Sequence, residues 1–255
     1  MKYISSKENQ LIKNFKLLSV KKYREQFGLF IIEGEKVVLE LIKNFSSSIE
    51  YLLIKEGHEG KYINLTAGLD VYIVQEKLFN SLSSTVTSQS VIAVCKQKHS
   101  NIKDIKVSNL LVLDRIQDPG NLGTIIRSAS ASGFNDILLI DSVDVYNEKT
   151  VRSASGTIML NHYYKLSTAE FITFAKANNY SIIMADMEGD NIFDKDLILP
   201  EKYALVIGNE GQGVSEEIEK NKNKTISIPM QKGVESLNAG VSAIIIMFSF
   251  KNKNN

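Results

Sequence analysis

From Leu110 to the end of the chain, short apolar runs alternate with helical stretches, and this alternation limits the fold more than any other feature of the 255 residues. The runs Leu110–Leu113, Asp136–Ile140, Ser181–Ala185, Tyr203–Ile207 and Thr225–Ile228 have the length and composition of buried strands. Helical stretches lie near Leu122–Ser132, Glu148–Gly156, Thr168–Asn178, Ser215–Glu219 and Ala239–Phe250. A parallel crossover needs a helix-length connection, so this order predicts a parallel sheet with helices on both faces. Ligands of such sheets gather outside the carboxyl ends of the strands.

Three of those strand ends carry unusual chemistry. After the first run comes Asp118-Pro119-Gly120-Asn121-Leu122-Gly123-Thr124-Ile125-Ile126-Arg127. The turn signal is strong, and Asn121 suits either helix capping or a site role. Gly123 and Arg127 lie four apart on one helical face. After Tyr203–Ile207 comes Gly208-Asn209-Glu210-Gly211-Gln212-Gly213, whose glycines let a backbone approach a ligand or make a plain turn. It is no dinucleotide fingerprint, because Glu216 stands where a third glycine belongs, and no Gly-Lys-Ser/Thr follows to make a P-loop. The third end is Ile228-Pro229-Met230, where the proline stops the strand, followed by Gln231 to Glu235 and then Ser236-Leu237-Asn238. Ser236 and Asn238 are each natural N-caps of the terminal helix or groups facing a site.

Taken in order, N-x-G-x-x-x-R, G-x-E-x-x-G and I-P-M with S-L-N resemble the motif set of the SpoU (TrmH-type) branch of the SPOUT RNA methyltransferases, over roughly the last 150 residues. The resemblance implies an α/β SPOUT domain with a trefoil knot, which no periodicity argument reveals. It implies S-adenosyl-L-methionine as cofactor, cradled at Gly208, Gly213, Ile228, Met230 and Leu237. It assigns the reaction centre to Asn121, Arg127, Glu210, Ser236 and Asn238, with Glu210 helping to hold Arg127. It also implies a homodimer through the C-terminal domain, in keeping with the run Val241 to Phe250, apolar on nearly every face.

The first 100 residues resemble that family's substrate-binding domain more loosely, through Phe30-Ile31-Ile32-Glu33-Gly34 leading into an apolar helix. Leu11, Ile12, Phe15 and Leu18 have the spacing of one helical face. Leu29–Ile32, Tyr51–Ile54, Val71–Val74 and Val91–Cys95 read as strands, with helices at Glu35–Lys43 and near Gln75–Leu82. The expected organisation is a smaller N-terminal α/β RNA-binding domain over residues 1–100, a polar linker over 101–108, and the methyltransferase domain over 109–255.

Charge supports a division of labour. Residues 1–104 carry 15 basic against 11 acidic groups, and residues 105–255 carry 15 against 18. Lys13, Lys16, Lys21, Lys22 and Arg24 stand out within the first 24 residues, where Glu8 is the one acid. That density suits a phosphate-binding footprint or a solvated helix face. Folded ribosomal RNA is the favoured substrate, with tRNA 2′-O-methylation or a non-catalytic ribosome-assembly role as alternatives.

Other classes fit poorly. His58, His99 and His162 are isolated from one another and from metal-ligand partners, so no metal is expected. A G-x-S-x-G elbow is absent. No apolar run reaches the roughly 18–20 residues that span a bilayer, and the N-terminus lacks a signal-peptide core. A single cysteine, Cys95 in an apolar run, fits a reducing cytoplasm.

Overall fold

A computed structural model describes residues 2–83, 89–98, 100–233 and 236–253. In chain order the elements are β1 (Lys2–Ile4), α1 (Gln10–Leu17), α2 (Lys21–Phe27), β2 (Leu29–Glu33), α3 (Glu35–Asn44), β3 (Ile49–Lys55), α4 (Glu59–Tyr62), β4 (Val71–Val74), α5 (Glu76–Asn80) and β5 (Val91–Lys96). They continue with β6 (Asn109–Asp114), α6 (Pro119–Ser132), β7 (Asp136–Ile140), α7 (Glu148–Ala154), β8 (His162–Lys165), α8 (Thr168–Ala177), β9 (Ser181–Asn191), β10 (Tyr203–Ile207), α9 (Glu216–Lys220), β11 (Lys224–Ser227) and α10 (Ala239–Lys253).

The chain divides into two compact units. The first comprises Met1–Gln97 together with Asp144–Met159; the second comprises Lys98–Val143 and Leu160–Asn255. Ile105, inside the segment expected as a linker, is buried in the core of the second unit.

The first unit is built on a five-stranded sheet ordered β1-β4-β3-β5-β2. The β1–β4 and β4–β3 pairs are parallel, and β5 runs antiparallel to both β3 and β2. Ile12, Phe15 and Leu18 on and after α1 bury against Leu53, Ile92 and Val94 of the sheet, as their helical spacing predicts. Cys95 is fully buried in β5, and desolvation pushes its thiol up to about 12, so it packs as an apolar residue.

The second unit carries a six-stranded sheet ordered β11-β9-β10-β6-β7-β8, and every neighbouring pair is parallel. Leu110 through Asp114 are all buried, as are all five residues of β7 and of β10. Burial of successive residues means both faces are covered, the condition a parallel sheet needs. Phe171 and Ala175 of α8 and Ile218 of α9 close one hydrophobic core over Leu110, Val112 and Val206.

Three elements depart from the sequence expectation. β8, His162-Tyr163-Tyr164-Lys165, is an edge strand that buries the adjacent Tyr163 and Tyr164 and exposes its two ends. It lacks an apolar run, so periodicity alone does not reveal it. β9 continues beyond Ala185 through the exposed residues Asp186–Asn191, because β11 pairs along it as far as Ser227↔Asn191. Inter-strand hydrogen bonding, not hydrophobicity, sustains that extension. The last helix, expected over Ala239–Phe250, runs on to Lys253: Lys251 Nζ donates to the Ala131 carbonyl at 2.9 Å and Lys253 Nζ to that of Asp194 at 2.5 Å. Val234 and Glu235 of the expected Gln231–Glu235 loop, His99, and residues 254–255 lie outside the described residues.

Candidate active site

The site begins with the cap of α6. Asp118, not Asn121, holds that position: its carboxylate accepts from the Asn121 backbone N–H at 2.8 Å, and Pro119 occupies the first turn. Asn121 therefore keeps its side chain for long-range bonds. Its Nδ2 donates to Glu210 Oε1 at 2.5 Å, and its Oδ1 accepts from Asn238 Nδ2 at 3.0 Å. Asn238 also serves as a cap, since its Oδ1 accepts from Val241 N at 3.2 Å at the start of α10. Three residues far apart in sequence thus form one chain of hydrogen bonds.

The glycine-rich loop is held from three sides. Asn209 and Gly213 exchange backbone hydrogen bonds at 3.0 and 2.9 Å, closing the turn. Asn209 Oδ1 accepts from the backbone N–H groups of Gly211 and Gln212, while its Nδ2 donates to the Arg115 carbonyl at 2.9 Å. Arg115 sits at φ 59°, in the left-handed region, and its guanidinium donates to Gln212 Oε1 and to the Gly213 carbonyl. The fully buried Asp114 accepts from Ser215 N at 2.6 Å. A Cβ on Gly208 would lie 2.4 Å from the Gly213 carbonyl carbon, so the closure of the loop itself requires glycine there.

This loop and the third motif enclose a cavity of about 250 Å³ at the middle of β9 and the carboxyl end of β10. Gly208, Gly213, Ile228, Met230 and Leu237 all line it, together with Glu210 and Ser236. Ala185, Asp186 and Met187 at the middle of β9, and Ser242 and Ile246 on α10, complete the wall and went unflagged in the sequence. Asp186 directly follows an expected strand, so the rule that ligands bind at strand ends could have found it. For Arg115 only its positive φ distinguishes it, and that is invisible in sequence.

The remaining flagged residues separate. Asn121, Asn238 and Arg127 are not part of the cavity lining. Arg127 stands exposed on α6, with no side-chain hydrogen bond or ion pair to a described residue, while Leu122, Ile125 and Ile126 take the buried face. Glu210 bonds to Asn121 instead. In the first unit Lys13, Lys16, Lys21 and Lys22 are exposed, and Lys13 is 2.7 Å from Glu8. Arg24 departs from the expectation. It is 2% exposed, donates to Asp144 Oδ2 from Nε at 3.0 Å and Nη2 at 2.7 Å, and reaches the carbonyls of Leu18 and Ser19 through Nη1. Four of its five N–H donors are thus taken up inside the fold, and the side chain is buried away from any phosphate at the surface. No group of three or more metal-ligating side chains occurs among the described residues.

Residues 108–248, which contain all three motifs and the whole cavity lining, match the family described as the SpoU rRNA methylase family. The chain belongs to that family. Residues 9–93 match the MRM3-like substrate binding domain. The chain is 31% identical over 252 residues to the 23S rRNA (guanosine(2553)-2′-O)-methyltransferase RlmP of Bacillus subtilis, covering 98% of this chain and all of that protein. Among solved structures, it resembles an AdoMet-bound rRNA methyltransferase from Sinorhizobium meliloti, with 26% identity, a TM-score of 0.86 and coverage of 98% and 97% of the two chains. A TrmH-family putative RNA methyltransferase from Porphyromonas gingivalis is similar at 26% identity and a TM-score of 0.84, with 96% and 98% covered. These similarities span both units, so family membership extends beyond the motif-bearing half.

Proposed function

We propose that this chain is an S-adenosylmethionine-dependent methyltransferase that modifies a ribose 2′-hydroxyl of RNA, with ribosomal RNA as the substrate class. The observation that carries the reading is the single cavity lined by residues of the G-x-E-x-x-G, I-P-M and S-L-N motifs. The Bacillus relative, named a 23S rRNA 2′-O-methyltransferase, and the AdoMet-bound Sinorhizobium structure support it.

The cavity suits the cofactor. Ile207, Ile228, Met230 and Ile246 give apolar walls for an adenine ring. Asp186 and Glu210 are the acids of the lining, and they favour a ligand carrying positive charge. When bound, S-adenosylmethionine supplies a methyl already activated by its sulfonium charge. The work left to the protein is alignment and charge control. The Glu210–Asn121–Asn238 chain fixes the glycine-rich loop against α6 and α10, and Ser236 offers a hydroxyl within the cavity wall.

A guanidinium stays protonated below a pH of about 12 and is a poor base. Arg127 therefore acts by stabilising the developing alkoxide or a neighbouring phosphate, not by removing the proton. Lys13, Lys16, Lys21 and Lys22 serve as phosphate contacts in the first unit.

The same reading includes a homodimer through α10, a trefoil-knotted C-terminal segment and a cytoplasmic location. In support of the dimer, α10 buries Ala243, Ile246, Met247 and Phe250 while leaving Val241 44% and Phe248 41% exposed. No helix of the described residues is long and apolar enough to cross a membrane.

The test is transfer of labelled methyl groups from S-adenosylmethionine to purified ribosomal RNA and, separately, to tRNA, followed by mapping of 2′-O-methylation in cells with and without the gene. The expected result is one ribosomal site that loses its methyl with the gene. Label in tRNA alone would move the substrate to tRNA; cofactor binding with no transfer to either RNA would overturn the enzymatic reading.

A further inference from the structure

We propose that a cleft within the first unit, where the Phe30-Ile31-Ile32-Glu33-Gly34 motif meets α7, holds an unpaired guanine of the RNA substrate; this rests on reading the chain as an RNA methyltransferase. The cleft has a volume of about 180 Å³, and its walls are Ile31, Glu33, Val37, Glu148, Val151 and Arg152, closed by Ser155 and Gly156.

Two distant stretches of sequence build it, and the joint is firm. The segment Asp144–Met159 belongs to the first unit. The Arg24–Asp144 ion pair, at 2.7 Å with side-chain exposures of 3% and 7%, fastens its start. Next to it the rings of Tyr146 and Phe30 pack with centroids 4.5 Å apart. At the other end Ser155 takes φ 50° and Gly156 φ 86°, and a Cβ on Gly156 would stand 3.1 Å from Val37 Cγ1. A left-handed serine followed by a left-handed glycine is a strained way to end a helix, and it lets the chain close against Val37.

Two of the charges in this cleft, Glu148 and Arg152, have no partner among the described residues. Glu148 and Arg152 are four apart on α7, the spacing that usually pairs opposite charges on a helix. Neither side chain makes a hydrogen bond or ion pair to any described residue, Arg152 is exposed, and both line the cleft. Glu33, which accepts a hydrogen bond from Ser83, adds a second carboxylate to the wall. Two carboxylates against one guanidinium disfavour a phosphate. They favour a neutral ligand presenting both hydrogen-bond donors and acceptors.

Guanine fits that description best among the bases. Its Watson–Crick edge offers N1–H and N2–H donors to a carboxylate, and its O6 and N7 accept from an arginine fork. Ile31, Val37 and Val151 supply apolar surfaces for the ring faces, as pockets for unstacked bases do.

The test uses the full chain and three labelled oligoribonucleotides, UUGUU, UUIUU and UUAUU, where inosine lacks only the N2 amino group. Fluorescence anisotropy should place the guanine probe about tenfold tighter than the other two. Glu148→Gln should abolish the difference between guanine and inosine, while Arg152→Gln should weaken both alike. Equal binding of all three probes, no binding at high micromolar protein, or discrimination that survives both substitutions would overturn the proposal. Calorimetry with S-adenosylmethionine and methyl transfer to ribosomal RNA, measured on the same preparations, keep the two readings apart. Retained guanine selectivity without methyl transfer defeats the enzymatic reading alone; methyl transfer without selectivity defeats the cleft alone.

Discussion

Asn121 and Glu210, 89 residues apart, meet through a 2.5 Å hydrogen bond that fixes the orientation of two asparagine amides at once. An ionised carboxylate only accepts, so Asn121 must turn its NH₂ to Glu210 and its carbonyl to Asn238. The Asn238 carbonyl oxygen is then directed to Val241 N–H at the start of α10. Charge on one residue sets the geometry of the next two.

Asn121→Asp tests this relay. It places a second carboxylate against Glu210, and two carboxylates sharing a site raise one pKa strongly. Turnover at neutral pH should fall by roughly 10–100-fold, the worth of a hydrogen bond to a charged group. Activity should recover in part as pH falls and one carboxyl takes a proton. A flat pH profile for the variant, beside that of the wild type, counts against the relay.

Arg127→Ala should lower kcat by about 10²–10³, the loss typical of removing one donor to a developing oxyanion. Affinity for S-adenosylmethionine should stay within a factor of about two, because Arg127 lies outside the cavity lining. Arg127→Lys keeps the charge and should restore part of the rate, with no new ionisation in the pH–rate profile. Cofactor titrations and single-turnover kinetics give the two quantities.

Arg24→Met leaves Asp144 buried with its ion-pair partner gone. Removing one partner of a buried pair costs about 3–5 kcal/mol. Urea denaturation should show a loss of that order, and the Arg24→Met/Asp144→Leu double variant should regain much of it. If Arg24→Met instead weakened RNA binding without loss of stability, the arginine would be a phosphate contact after all.

Replacing Lys13, Lys16, Lys21 and Lys22 together by alanine should weaken binding to ribosomal RNA and reduce the slope of log K against log salt by up to about 3–4, each phosphate contact contributing roughly 0.7–0.9. The helix carrying the first two should persist, since Ile12 and Phe15 hold it from the other face. An unchanged slope identifies the lysines as a solvated surface.

The dimer is tested by light scattering over a dilution series. A mass near twice the chain's 28.5 kDa should persist at micromolar concentration, and Phe248→Glu should halve it. A wild-type protein that stays at 28.5 kDa throughout excludes the pairing.

Periodicity and turn chemistry by themselves marked five of the six strands of the second unit. Five apolar runs became five parallel strands, and in β6, β7 and β10 both faces are covered, a demand that writes itself into consecutive apolar residues. The glycines and proline at the strand ends likewise marked where a cavity would open, since close backbone approach excludes side chains. Tertiary structure alone decided which polar residue did what. Asp118 and Asn121 both suit a cap, and the approach of Glu210 from another loop settled the choice. Arg24 and Lys22 look alike in a basic cluster, yet one is sealed against Asp144, 120 positions away, and the other is exposed. A charge has no periodicity of its own, so its role depends on a partner that only the folded chain brings within reach.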